Sequence, residues 1–158
     1  MEKILLKDIE RQAIQIKERY ELYHNNIEKW YQKNLLNYTK PPKKYINVPK
    51  EWNEDKKYNP FYVLKRKKQI AKSISKKILS GTYLPNKPIY KKIPKKGGGL
   101  RTLSIYQIQD SAVSYRMYKN LLQKNKHRFS SFSYAYRDDR NLHFAIEDIF
   151  NEFKTTPR

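Results

Sequence analysis

From Leu5 to Trp30 the apolar residues fall at Leu5, Ile9, Ala13, Ile16, Tyr20, Tyr23, Ile27 and Trp30, every interval being three or four. Side chains at those intervals share one face of an α-helix, so the spacing predicts a single long amphipathic helix at the N-terminus. Such a stripe has to be covered, either by another helix of the same chain or by a partner subunit. Helix packing is therefore the first commitment of the fold.

The periodicity stops between Tyr38 and Pro60, where "KPPKK" and "YNP" break a helix, and this stretch reads as a connector that packs Trp52 and Tyr58 onto something. A second helix follows, with Ile70, Ile74 and Ile78 on one face and Gly81 placed to end it. The pattern then changes to a period of two. Ile89, Lys91 and Ile93 alternate with Tyr90 and Lys92, and after three glycines Leu103 and Ile105 alternate with Thr102 and Ser104, which predicts a hairpin. Helical spacing resumes from Gln107 to Gln123 through Ile108, Ala112, Tyr115 and Leu122. Lys124 to Phe132 reads as a basic loop, and "SYAYRDDRN" as a turn in which Asn141 or Asp139 caps a last helix bearing Leu142, Ile146, Ile149 and Phe153. The expected class is α+β, mostly helical, with one glycine-tipped β-hairpin.

Charge narrows the partners. Lysine and arginine outnumber the acids 35 to 15, a formal net charge of +20 on 158 residues. Self-repulsion on that scale destabilises a compact chain unless a polyanion neutralises it, so nucleic acid is the first candidate partner. A lysine-rich solvated surface and an anionic membrane surface are the competing readings. No stretch approaches the roughly 18 apolar residues of a spanning helix. Glu2, Asp8 and Glu10 make the N-terminus unlike a signal peptide, so a cytoplasmic location and no membrane partner are expected. With no cysteine, the chain has no disulfide, thiolate zinc site or cysteine nucleophile, and His24, His127 and His143 are too scattered for an imidazole metal site.

Three of the four glycines stand together at Gly97 to Gly99, between Lys95, Lys96 and Arg101. A hairpin turn, a flexible linker and a phosphate-binding loop all fit that composition. Backbone N–H groups in glycine runs approach oxygens closely, and the flanking cations suit phosphate. A Walker loop is excluded, because Leu100 and Arg101 follow Gly99 where Lys and Ser or Thr would be needed. Asp138 and Asp139 are adjacent and point apart on any regular element, which suits a turn or a cap and not a two-metal centre.

Taken in order, Ile93-Pro94-Lys95, Gly97 to Gly99, Arg101-Thr102-Leu103-Ser104-Ile105, Asp110 opening a helix, Ser133-Tyr134-Ala135-Tyr136-Arg137 and His143-Phe144-Ala145-Ile146 form a collinear series. The series resembles the fingers region of reverse transcriptases of the bacterial group II intron type. That family carries I-P-K, a glycine-rich turn, R-P-L-x-I, a helix opening with Asp, S-Y-x-[FY]-R and H-x-A-[IV]. The likeness covers about Pro88 to Phe150, and "SGTYLPNKPIYKKIPKK" looks like the defence-associated, abortive-infection branch. Thr102 in place of proline, Ala135 in place of glycine, Asp138 in place of proline, and Ser114 and Tyr115 in place of glutamines depart from the intron enzymes.

The resemblance implies a helical extension and connector over 1–60 and a polymerase fingers module over 61–158. It implies that Lys95 and Arg101 contact an incoming deoxynucleoside triphosphate, and that Tyr134, Tyr136 and Arg137 line the template path. The partners would be an RNA template, a primer and a dNTP, with self-association or a partner chain through the N-terminal helix. Mg²⁺ in the complete enzyme would be held by palm aspartates beyond Arg158, so no catalytic or metal residue is expected here and the chain alone is expected to be inactive. A stand-alone basic RNA-binding module, and a helical interaction protein, stay open as alternatives.

Overall fold

In the computed structural model the described residues are 1–35, 47–135, 137 and 139–155. The architecture is α+β and mostly helical, with one two-stranded antiparallel sheet. The chain forms two compact units, Met1–Tyr118 and Lys119–Arg158.

The N-terminal stripe forms α1, Glu2–Leu35, and buries Leu5, Ile9 and Ala13. They meet Val63, Ala71 and Ile74 of α3, Pro60–Leu79, and Ile108, Ala112 and Val113 of α4, Ile108–Asn125. The expected extension thus shares one core with the segment after residue 60. Ile16, Ile70 and Ile78 pack at the edge of this core. Further along α1, Tyr20 stacks on Trp52 of α2, Glu51–Glu54, with ring centroids 4.8 Å apart, and Phe61 meets Trp52 edge-on at 6.0 Å. The connector therefore does pack its aromatics: Trp52 and Tyr58, the latter in a 3₁₀ turn at Lys56–Tyr58, are both buried. Past Tyr20 the described residues leave Tyr23 and Trp30 exposed, so the stripe is covered over only part of its length. "KPPKK" lies outside the described residues.

Pro60 starts α3 where the sequence suggested a break. Asn59 caps the helix, its Oδ1 accepting from the Phe61 and Tyr62 amides at 2.9 and 3.4 Å, and Pro60 sits in the first turn, where its missing N–H costs nothing. The far end is a Schellman motif. The Gly81 amide donates to Ile78 O, the Thr82 amide to Lys77 O, and Gly81 takes φ +70°.

Strands β1, Ile89–Pro94, and β2, Leu100–Ile105, pair from Ile89 opposite Ile105 to Pro94 opposite Leu100. In the second unit α4 continues to Asn125 and a 3₁₀ turn takes Lys126–Arg128, where a loop from Lys124 was expected. The last helix, α5, spans Leu142–Thr155. Its cap is Asn141, whose Oδ1 accepts from the His143 and Phe144 amides at 2.9 and 3.3 Å. Leu142, Ile146, Ile149 and Phe153 are exposed. Among the described residues no helix is long and apolar enough to cross a membrane.

Candidate functional site

The hairpin register decides which cations share a face. Side chains alternate along a strand, so Lys91 and Ile93 lie on one face with their partners Leu103 and Arg101, while Tyr90 and Lys92 lie on the other; Lys95 follows β1 and opens the turn. Arg101 sits directly opposite Ile93, two residues before Lys95. The tip is a tight turn: the Gly98 amide donates to Lys95 O at 3.2 Å and the Lys95 amide to Gly99 O at 3.1 Å. Gly98 and Gly99 take φ of +89° and +78°, a region that favours glycine, whereas Gly97 does not. The sequence left open a turn, a linker or a phosphate loop; the tip is an ordered turn. Every residue from Pro94 to Ser104 is exposed, and among the described residues no carboxylate pairs with Lys91, Lys92, Lys95, Lys96 or Arg101.

Both legs of the hairpin are tied at the root by one polar network. Asp110, buried in the first turn of α4, accepts from the Tyr83 hydroxyl and, at 3.1 Å each, from the Asn86 amide and Asn86 Nδ2. The same Nδ2 also donates to Gln107 Oε1 at 2.9 Å, Gln109 Nε2 donates to that oxygen at 2.9 Å, and Gln107 Nε2 donates to Asp55 at 2.8 Å. Burial, and then the bond to Asp110, raise the Tyr83 hydroxyl above its ordinary value of 10.0. The segment that enters β1 and the segment that leaves β2 are therefore fixed to each other. Sequence reading singled out Asp110 only as a motif position, and it passed over Tyr83, Asn86 and Gln107. A buried carboxylate close behind a strand was the available signal.

In the C-terminal unit the expected template residues are placed unequally. Arg137 is largely buried and saturated: its Nε and Nη2 grip Asp139 at 2.9 and 2.8 Å, and Nη1 reaches the Ser130 and Ser133 carbonyls. Its guanidinium also lies 5.5 Å from the Phe129 ring. The hydrogen bonds from Arg137 hold the Asp139 carboxyl well below the usual carboxylate range. Tyr134 donates its hydroxyl to Asp148, which raises its pKa, and its ring carries Arg140 at 5.4 Å. Tyr136 and Asp138 lie outside the described residues.

The described carboxylates do not fit a two-metal centre. Asp139 is taken up by Arg137 and by Lys126 at 3.2 Å, Asp148 by Tyr134 and Arg140, and Asp110 by Tyr83 and Asn86. Each is a hydrogen-bond anchor, and no three acidic or histidine side chains converge among the described residues. No protein-family model matches the chain, and no curated protein matches its sequence.

Proposed function

We propose that the chain is the fingers portion of an RNA-directed DNA polymerase of the defence-associated or retroelement kind, with the hairpin serving as the clamp for an incoming dNTP. The observation that carries the reading is the position of Lys95 and Arg101 on either side of the tip of a glycine-tipped hairpin, with no carboxylate partner among the described residues. Two cations flanking one tight turn can engage different phosphates of one triphosphate. The buried Asp110 network supports this reading, because a clamp works only if its root is rigid.

In this reading an RNA template runs past Tyr134 and Tyr136. Arg137 serves as the positioning residue that holds the loop, since its donors are already used. The chain contributes binding, and the Mg²⁺-dependent step of the complete enzyme belongs to carboxylates other than those described.

Titration of dye-labelled dTTP by fluorescence anisotropy tests the assignment on the chain as it stands. Arg101→Ala and Lys95→Ala should each weaken binding about tenfold or more, as charge-assisted contacts to phosphate do, and Lys96→Ala should change it little. Equal, small effects at Lys95, Lys96 and Arg101 would reduce the hairpin to a turn. If RNA still bound in that case, the chain would be a basic RNA-binding module.

A further inference from the structure

Helix α3 carries seven cations, Lys65, Arg66, Lys67, Lys68, Lys72, Lys76 and Lys77, and no acid. Among the described residues Lys67 is paired, to Glu10 of α1, and the other six are exposed with no carboxylate partner. On one side of this helix lies a groove of about 280 Å³, between α3 and the segment around Leu84 and Asn86. Arg66 and Lys77 both line it, about 16 Å apart along the helix axis, and Lys57 adds a third cation. Ile70 and Ile74 line it beside the polar Gln69 and Ser73, and Tyr62, 38% exposed, is also among its lining residues. Arg66 is partly oriented by Gln69, to whose Oε1 it donates at 2.9 Å.

We infer that this α3 groove binds single-stranded RNA, with Arg66, Lys77 and Lys57 on the phosphates and Tyr62 stacked on a base. A cationic channel combined with an aromatic wall is how single strands are held without base-pair geometry. A duplex would offer phosphates alone and leave the Tyr62 ring in water, and a flat anionic membrane would not enter the concavity. The surface is separate from the hairpin and does not depend on how Lys95 and Arg101 are used. It is carried by residues that none of the sequence motifs included.

The test uses the full chain, a short dye-labelled uridine-rich RNA and a salt series. Arg66→Gln/Lys77→Gln should lower the slope of log affinity against log salt by about 1.4, the loss of two single-strand phosphate contacts. Lys29→Gln/Lys33→Gln, which removes the same charge from the far half of α1, should leave the slope nearly unchanged. Tyr62→Ala should weaken RNA binding severalfold and leave binding of inorganic polyphosphate unaltered. Equal losses in the two double variants would mean attraction by net charge and overturn the groove, as would a Tyr62→Ala variant that binds RNA like the parent. Binding to phosphatidylserine vesicles that depends on Arg66 and Lys77 and is not competed by RNA would also overturn it. All five substituted residues are exposed, and circular dichroism of each variant confirms folding. Labelled dTTP binding, read on the same variants, should be unchanged, which separates failure of the groove from failure of the hairpin clamp.

Discussion

Asp8 of α1 is gripped by Arg116 of α4, Nη2 to Oδ2 at 2.6 Å and Nε to Oδ2 at 2.7 Å, across 108 positions of sequence. The Asp8 side chain is 5% exposed and that of Arg116 34%, so the two ends of the pair are not equivalent. Arg11 offers Asp8 a second contact, at 3.4 Å, and lies over the Tyr115 ring. Arg116→Leu should destabilise the chain by about 3 kcal/mol, because it leaves a buried carboxylate with a weaker partner. Asp8→Ala should cost only about 1 kcal/mol, since Arg116 can rehydrate. Urea unfolding of the two variants measures the asymmetry, and equal losses would contradict it.

Most of the scaffold was legible in the sequence because it rests on periodicity. Leu5, Ile9 and Ala13, then Ile74, then Ile108 and Ala112 repeat at helical spacing and form the core, with Ile70 packed at its edge. Alternation from Ile89 to Ile105 predicted the hairpin, and the register places Arg101 opposite Ile93. Pro60 misled because proline breaks a helix interior but suits a first turn. The partners of Arg137 were not legible, since a surface motif does not reveal that Asp139 and two carbonyls already occupy its donors. Nor was the root network, whose partners come from loop positions with no periodic signature.

The three tip glycines should not be equivalent. Gly98→Ala and Gly99→Ala force an L residue to positive φ and should each destabilise the hairpin by about 1–2 kcal/mol. Gly97→Ala meets nothing within 4 Å and keeps an ordinary φ, so the hairpin should be unaffected. Amide hydrogen exchange along β1 and β2 reads the difference, and similar protection loss in all three variants would go against it.

The bond from Tyr83 to Asp110 should give the root of the hairpin an alkaline limit. Because the folded pKa of Tyr83 is raised, its contribution is fully present below 10.0 and is lost as pH rises through the higher folded value. In a spectrophotometric titration, Tyr83→Phe should remove an ionisation that comes well above 10.0. Removal of an early step instead would mean that the hydroxyl is not held.

The Arg137 and Asp139 pair should fail in acid and nowhere nearer neutrality. The depressed Asp139 carboxyl makes its contribution fully present above the ordinary value of 3.8 and lost as pH falls through the lower folded value. The Arg137 Nε–H signal in an NMR pH series should stay protected until the pH drops below 3.8. Asp139→Asn should expose it at neutral pH. Loss of protection in the parent chain near pH 6 would show that the pair does not hold the loop.

Where a triphosphate lands on the chain tests the central claim most directly. In an NMR titration of the isotope-labelled chain with dTTP, the amides of Gly97 to Gly99 and the side chain of Arg101 should shift together and saturate, while thymidine, lacking phosphates, should leave them unmoved. Small non-saturating shifts spread over the lysine-rich surface, or identical shifts with thymidine, would contradict the account.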